Sequence, residues 1–300
     1  MRIAVLADIH SNLVALQTIT EHIEAWQPDH VIVAGDIVNR GPRPLECLRF
    51  VQDKARTAGW QVIKGNHEDY VIGLAQPGTP YNGPFYETHR STFWTYQQVK
   101  EHVSYLAALP DDQNLIGPDG RLITITHASM RHNRDGIHPF TSDSELCQKI
   151  ERSAALFCVG HTHTPLIRRL NGTLVVNVGA VGLPFDGDSR ACYGQMCWQR
   201  RCWSAEIIRL VYDRRQAEQD FFDSGFMSDS GGLAPLILDE FRTARSHLFQ
   251  WTADYQAQVL AGQMSVEDSA REYMRRKRIN GVVGSKVASS RVASSRVAGL

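Results

Sequence analysis

Ile3-Ala4-Val5-Leu6-Ala7-Asp8-Ile9-His10 is the stretch on which the reading of this chain turns. Five consecutive apolar side chains are too few for an ordinary helix and fit a short strand covered on both faces. The run stops at a carboxylate, and an imidazole follows two residues later. In an α/β sheet the carboxyl edge is where ligands bind, because loops converge there while the strands hold them rigid. The same arrangement recurs four times along the chain. Predicted strands at residues 31–34, 61–64, 122–126 and 156–159 lead directly into Gly35-Asp36, Gly65-Asn66-His67-Glu68, His127 and Gly160-His161-Thr162-His163.

Between the first strands the apolar period changes to that of a helix. Leu13, Leu16, Ile19, Ile23 and Trp26 share one face of a helix predicted over 12–26, with Asn12 as its N-cap. Pro42 or Pro44 suits the first turn of a second helix through Leu45, Leu48, Phe50 and Val51. Such alternation predicts a layered α/β architecture with parallel pairing. Residues 70–120 form an excursion, with turn chemistry first and then an aromatic-rich helical stretch. It reads either as a cap over the site or as an extra core layer. Past residue 163, strands are predicted at 166–170, 173–178, 192–198 and 207–212, with Asn171-Gly172 at a hairpin turn and antiparallel pairing in this half. Helices are predicted over 236–260 and 266–274. The expected domain organisation is a domain over 1–212, a helical extension over 213–280 and a basic low-complexity tail over 281–300, the last expected to be disordered.

Composition narrows the class. The 300 residues carry 32 basic and 32 acidic side chains and are 43% apolar, which excludes a disordered chain and a protein basic all over for nucleic acid. No run of about 18 apolar residues is present, and the start of the chain lacks the pattern of a signal peptide, so a cytoplasmic protein without membrane contact is expected. Six cysteines are too sparse for a disulfide scaffold. Cys192, Cys197 and Cys202 read as small apolar core residues.

The five clusters together offer two aspartates, one amide and up to five imidazoles. Imidazole nitrogen with carboxylate oxygen favours Mn, Fe, Zn or Ni, and the lack of a nearby cysteine disfavours a structural zinc site. Asp8 and His10 lie two apart and can share an ion, as can His161 and His163. One ion takes about three or four protein ligands, so this inventory implies two divalent ions and a bridge, for which Asp36 is central.

In order and spacing, Asp8/His10, Gly35-Asp36, Gly65-Asn66-His67-Glu68, His127 and Gly160-His161-Thr162-His163 resemble the D-x-H, G-D, G-N-H-[DE], H and G-H-x-H blocks of the calcineurin-like metallophosphoesterase superfamily. The resemblance implies a four-layer α/β/β/α sandwich with mixed sheets and metals at the carboxyl edge of the strands; it does not extend to the C-terminal third, whose predicted helices read as an appendage. It places Asp8, His10 and His163 on one ion, Asn66, His127 and His161 on the other, and Asp36 between them. It makes His67 the catalytic histidine facing the leaving group. Residues 35–42 resemble the G-D-x-x-D-R-G-P segment of serine/threonine phosphatases and diadenosine tetraphosphate hydrolases, which casts Arg40 as a clamp on a phosphoryl oxygen. Arg131 is a second candidate for phosphate binding. Asn39 stands where those enzymes carry an aspartate, and His127-Ala128-Ser129 replaces H-G-G; both point to bacterial phosphodiesterase-like members.

The implied activity is hydrolysis of a phosphodiester or phosphomonoester of a small phosphorylated substrate, by in-line attack of a hydroxide bridging two divalent ions, Mn²⁺ first and Fe²⁺, Ni²⁺ or Zn²⁺ as alternatives. Three rival readings stand beside it. A dinucleoside polyphosphate hydrolase would stack a base on aromatics of the excursion (Tyr81, Phe85, Tyr86, Phe93, Trp94), although helical spacing favours core packing for Phe93 and Trp94. A phosphoprotein phosphatase is the second, and a non-catalytic scaffold on the same fold is the third. Nucleic acid is a partner only for the basic tail.

Overall fold

The computed structural model describes residues 1–277, and the tail expected over 281–300 lies outside them. Strand β1 (Arg2–Leu6) pairs in parallel with β2 (His30–Ala34), and β2 with β3 (Gln61–Ile63). Helices α1 (Leu13–Trp26) and α2 (Pro44–Ala58) are the crossovers. Asn12 Oδ1 accepts the Ala15 N–H at 3.1 Å and so caps α1, and Pro44 opens α2, where its missing N–H leaves no bond unmade.

Helix α3 (Asn66–Gly73) follows β3, and α4 (Gly83–Thr88), α5 (Arg90–Val99) and α6 (Val103–Ala108) make up the excursion. It ends in a strand that periodicity did not indicate, β4 (Asp112–Ile116). This strand lies at a sheet edge and alternates between exposed and half-buried positions, so it carries few apolar residues. β5 (Leu122–Thr126), α7 (Asp143–Lys149), β6 (Ala154–Val159), β7 (Leu166–Leu170) and β8 (Thr173–Asn177) follow. The order of the second sheet is β4-β5-β6-β8-β7. Helix α7 also lacked a sequence signal, since Leu146 is its one buried apolar residue. β9 (Ala191–Gln199) and β10 (Cys202–Leu210) return to the first sheet, in the order β10-β9-β1-β2-β3.

Antiparallel pairing was expected for the second half and holds for two hairpins. One is β7–β8, turned by Asn171 (φ 49°) and Gly172 (φ 85°); the other is β9–β10. β8 itself runs parallel to β6. All five of its residues are buried, and a central strand covered on both faces is the natural place for Leu174-Val175-Val176. β9 crosses to the other sheet and pairs antiparallel with β1.

The alternation of side chains along the central strands builds the layers. Ile3, Val5, Ile32 and Ala34 meet Ile123, Ile125, Leu156 and Cys158 between the sheets. Ala4, Leu6 and Val33 face α1 and α2, whereas Phe157, Val159 and Val175 face Leu146 and Ile137. The result is an α/β/β/α sandwich. Of the three cysteines read as core, Cys192 is buried, but Cys197 is half-buried and Cys202 is exposed near the β9–β10 turn.

The C-terminal helices α8 (Arg214–Asp223), α9 (Phe226–Asp229), α10 (Ala234–Thr243), α11 (Leu248–Trp251) and α12 (Ala257–Leu260) lie on the α1–α2 side. A π-helical turn, Thr252–Gln256, joins the last two, and residues 266–277 are helical. Phe221, Phe226, Ile237 and Trp251 share one hydrophobic cluster with Leu16, Ile19 and Leu48. Trp94 of the excursion meets Phe226 edge-on at 5.1 Å. No helix among the described residues is long and apolar enough to cross a membrane.

Candidate metal centre

The loops after β1, β2 and β3 of one sheet and after β5 and β6 of the other meet at a single point. Their backbone is unusual. Eight of the thirteen non-glycine residues with positive φ among the described residues fall here: Asp8, His10, Ser11, Asp36, Asn39, Arg40, His161 and His163. A left-handed backbone on such residues costs about 1–3 kcal/mol each and persists only where the surroundings impose it. Two glycines let the loops touch. A Cβ on Gly65 would lie 2.2 Å from Asp36 Oδ1, and one on Gly160 would lie 2.6 Å from Asp8 Oδ2. Gly160→Ala therefore displaces Asp8, and calorimetry should show Mn²⁺ affinity about 10- to 100-fold lower, the usual effect of disturbing a ligand's support. An alanine protein with native affinity would contradict this.

Each carboxylate is pinned by one oxygen. Asp8 Oδ2 accepts the His161 N–H at 2.8 Å, and Asp36 Oδ1 accepts the His67 N–H at 2.9 Å. The other oxygens, Asp8 Oδ1 and Asp36 Oδ2, are buried without a hydrogen-bond partner among the described residues. Ring nitrogens face them: His163 Nε2 is 3.4 Å from Asp8 Oδ1, while His127 Nε2 and His10 Nε2 are 3.4 Å and 3.6 Å from Asp36 Oδ2. His10 Nε2 and His163 Nε2 are 3.1 Å apart, and His127 Nε2 lies 2.9 Å from Asn66 Oδ1.

The far nitrogens of the rings are spoken for. Nδ1 of His10, His127 and His163 donates to the carbonyl oxygens of Asn39, Ala34 and Leu183, at 3.2, 2.8 and 2.5 Å. A carbonyl only accepts, so the proton sits on Nδ1 and Nε2 is turned toward the centre. Two orphaned carboxylate oxygens facing imidazole nitrogens are a donor set that fits divalent cations and little else. The donor atoms of Asp8, His10, Asp36 and His163 lie within 4.8 Å of one another, as do those of Asp36, His127 and His161.

The electrostatics agree. Burial, and then the neighbouring His163 ring, push His10 well below its ordinary value. Burial and the His127 ring bring His161 down to about 3. Burial works to raise Asp36, yet the rings of His127, His67 and His10 hold it well below the usual carboxylate range. Burial would lower His127, but Asp36 and Asp8 push it up to about 10. The pocket thus keeps its carboxylate charge and calls for positive charge at Nε2 of His127, which a proton or a metal can supply.

Two supporting residues complete the loops. Glu68 carried no assigned role in the sequence, although its block was conspicuous. Its buried carboxylate accepts the N–H groups of Gly65, Asp36 and Ile37 at 2.8 Å and that of Val38 at 3.2 Å, tying two metal-site loops together. Burial and the charge of Asp36 push it up to about 7 against those four donors. Asn39 Oδ1 accepts the Arg40 N–H at 2.9 Å. Its amide nitrogen therefore faces His67 Nδ1, also at 2.9 Å.

A cleft of about 610 Å³ opens over the centre, floored by Asp36, Asn66, His67, His161 and His163. Arg40, Arg134, Phe140 and Phe249 line its walls, and a side chamber of about 290 Å³ shares Arg40 and His67 with it. Arg131 is not brought to this cleft. Its guanidinium binds Gln148 Oε1 at 2.6 Å and stands 3.6 Å from Asp135, which corrects the expectation that it clamps phosphate. Arg134, to which the sequence assigned no individual role, takes a place there and lies over the Tyr70 ring at 4.7 Å. None of Tyr81, Phe85, Tyr86, Phe93 and Trp94 lines the cleft, and the last two are core. The wall residues Ser246, Leu248 and Phe249 had no signal, because they lie far along the chain in an ordinary helical pattern.

Comparison with known proteins places this geometry. The calcineurin-like phosphoesterase superfamily domain matches residues 1–197. An uncharacterized protein of Methanocaldococcus jannaschii is 27% identical over 233 residues, 72% of this chain and 89% of that protein. The symmetrical bis(5'-nucleosyl)-tetraphosphatase of Thioalkalivibrio sulfidiphilus is 35% identical, but over 78 residues only, 25% of this chain and 28% of the enzyme. Among solved structures, a metallophosphoesterase from Sphaerobacter thermophilus superposes with a TM-score of 0.62 at 26% identity, covering 81% of this chain and all of that one. A hypothetical protein from Pyrococcus horikoshii shares the fold with a TM-score of 0.68 at 21% identity, over 82% of this chain and 99% of its own.

Proposed function

Because the chain belongs to the calcineurin-like phosphoesterase superfamily, we propose that it hydrolyses a phosphodiester or phosphomonoester of a small molecule with two divalent metal ions. The observation that carries this reading is the pair of orphaned, buried carboxylate oxygens on Asp8 and Asp36, faced by imidazole Nε2 atoms whose rings are oriented by Nδ1 donation to backbone carbonyls. Asp8, His10 and His163 would hold one ion and Asn66, His127 and His161 the other, with Asp36 shared. When bound, the ions supply Lewis acidity, which activates water and offsets phosphoryl charge. Nitrogen and oxygen donors make Mn²⁺ the first ion to try, with Fe²⁺, Ni²⁺ and Zn²⁺ as alternatives.

The chain's own residues define the rest. Arg40 presents a planar fork to a phosphoryl group in the cleft. His67 faces Asp36 from the same floor, its Nε2 being 4.0 Å from Asp36 Oδ2. An amide N–H donating to Nδ1 leaves the His67 proton on Nε2, as a neutral imidazole aimed at the substrate. Burial also pushes this ring well below its ordinary value, against the pull of Asp36. A neutral imidazole hydrogen-bonds a departing oxygen but is a weak general acid, so the leaving group decides the rate. Aryl phosphoesters should be hydrolysed at least about 100-fold faster than alkyl ones, and Asn39→Asp, which gives His67 an anionic partner, should narrow the gap about tenfold. Equal rates across leaving groups would refute this role for Asn39.

The cleft volume lies in the range of small-molecule sites, which favours a metabolite over a phosphoprotein. One observation supports a second reading, a dinucleoside polyphosphate. Phe140 and Phe249 are 84% and 80% exposed at the walls of the same cleft, where a planar base would cover them. A scaffold role is disfavoured by the full set of donors. The test is a screen of phosphomonoesters, diesters and dinucleotides with Mn²⁺, Ni²⁺ and Mg²⁺ in turn, beside metal analysis of the purified protein. Hydrolysis with bound metal is expected; a protein that takes up no metal and cleaves none of them overturns the proposal.

A further inference from the structure

We propose that the C-terminal helical region completes the substrate site, with Glu240 as the positioning residue of Arg40; this rests on the phosphoester reading above. Glu240 sits on α10, outside the matched residues 1–197, and is wholly buried. Its Oε1 accepts the N–H groups of His247 and Leu248 at 2.6 and 2.8 Å. Its Oε2 has no hydrogen-bond partner among the described residues and lies 3.9 Å from Nη1 of Arg40.

A carboxylate buried this deeply needs its charge answered. Half of Glu240 is answered by the turn entering α11, and the other half is aimed at Arg40, the one cation within salt-bridge reach among the described residues. Arg40 is held from its other end as well. Asn39 and Arg40 are left-handed (φ 72° and 58°), and the Arg40 N–H is tied to Asn39 Oδ1. A long guanidinium side chain loses rotamer freedom when it is ordered on phosphate, and a fixed counter-ion removes part of that loss before substrate arrives. The same carboxylate accepts from Ser246 Oγ at 3.5 Å and from the N–H groups of His247 and Leu248, in the short segment from which Ser246, Leu248 and Phe249 line the cleft. One buried acid from the C-terminal region thus sets both a cleft wall and the phosphate-facing arginine.

Glu240→Gln separates the two duties. Its amide oxygen can still accept the two N–H groups, but the charge facing Arg40 is gone. The experiment titrates inorganic phosphate into Mn²⁺-loaded full-length protein by calorimetry, in wild-type and Arg40→Ala backgrounds. Glu240→Gln is expected to weaken phosphate about tenfold in the first and to change nothing in the second. Native phosphate affinity in Glu240→Gln, or an equal loss in both backgrounds, overturns the proposal and leaves Glu240 a purely structural anchor. Should Glu240→Gln not fold, Glu240→Asp, which draws the charge back from Arg40, replaces it. At least threefold weaker binding is then expected in the wild-type background alone, and equal effects in both again overturn it. Wild-type protein that binds neither Mn²⁺ nor phosphate overturns the phosphoester reading together with this inference, whereas wild-type binding with an unmoved variant overturns this inference alone.

Discussion

Asp36→Asn should lower turnover of bis-p-nitrophenyl phosphate in excess Mn²⁺ by roughly a thousandfold or more, while the protein stays folded. The asymmetry of this side chain is the reason. Oδ1 accepts the His67 N–H at 2.9 Å, and an amide oxygen can do the same, so the loop survives. Oδ2 is the orphaned atom, 3.4 Å from His127 Nε2 and 3.6 Å from His10 Nε2, and belongs to both donor clusters. Replacing it with a neutral NH₂ group removes the negative charge between them and directs N–H bonds at the nitrogens that the proposal assigns to the ions. Two metal ions per chain in the wild type and at most one in the variant are expected by elemental analysis. A variant that keeps two ions and full turnover would remove Asp36 from the bridging role.

Glu68→Gln is expected to be the most damaging change away from the donor atoms. Glu68 Oε2 accepts the Gly65 and Asp36 N–H groups, and Oε1 those of Ile37 and Val38. Glutamine turns one oxygen into a donor, so two buried N–H groups lose their acceptor. At about 1–3 kcal/mol for each abandoned group, the expected loss is about 4 kcal/mol. For a chain of this size that lowers the thermal midpoint by roughly 10 °C, measurable by scanning calorimetry. Mn²⁺ binding should weaken in parallel, because the Gly35–Val38 and Gly65–Asn66 loops share this acceptor. A midpoint within about 2 °C of wild type would show that the loops hold without it.

Most of the centre was legible before any tertiary contact was known. The donors of Asp8, His10, Asp36, Asn66, His127, His161 and His163 stand directly after short apolar runs, and a strand edge followed by a glycine or an ionisable group is a local pattern. β1, β2 and β6 were readable for the same reason: both faces are buried along most of their length, so each carries an unbroken apolar run. β4 was not, because an exposed edge strand needs no such run. Arg131 and Arg134 are alike in the sequence, and only the course of the 127–142 loop sends the first to Gln148 and the second over Tyr70 into the cleft.

The chain by itself therefore determined which donors exist, in what order, and that strands carry them, since those properties depend on residues within one short segment. Tertiary structure alone decided that the five strands belong to two sheets, that β8 runs parallel to β6, and that a glutamate on α10 reaches Arg40 two hundred residues earlier. Strand partners and buried ion pairs are chosen by contacts between distant segments, where the hydrophobic effect rewards burial without naming the partner.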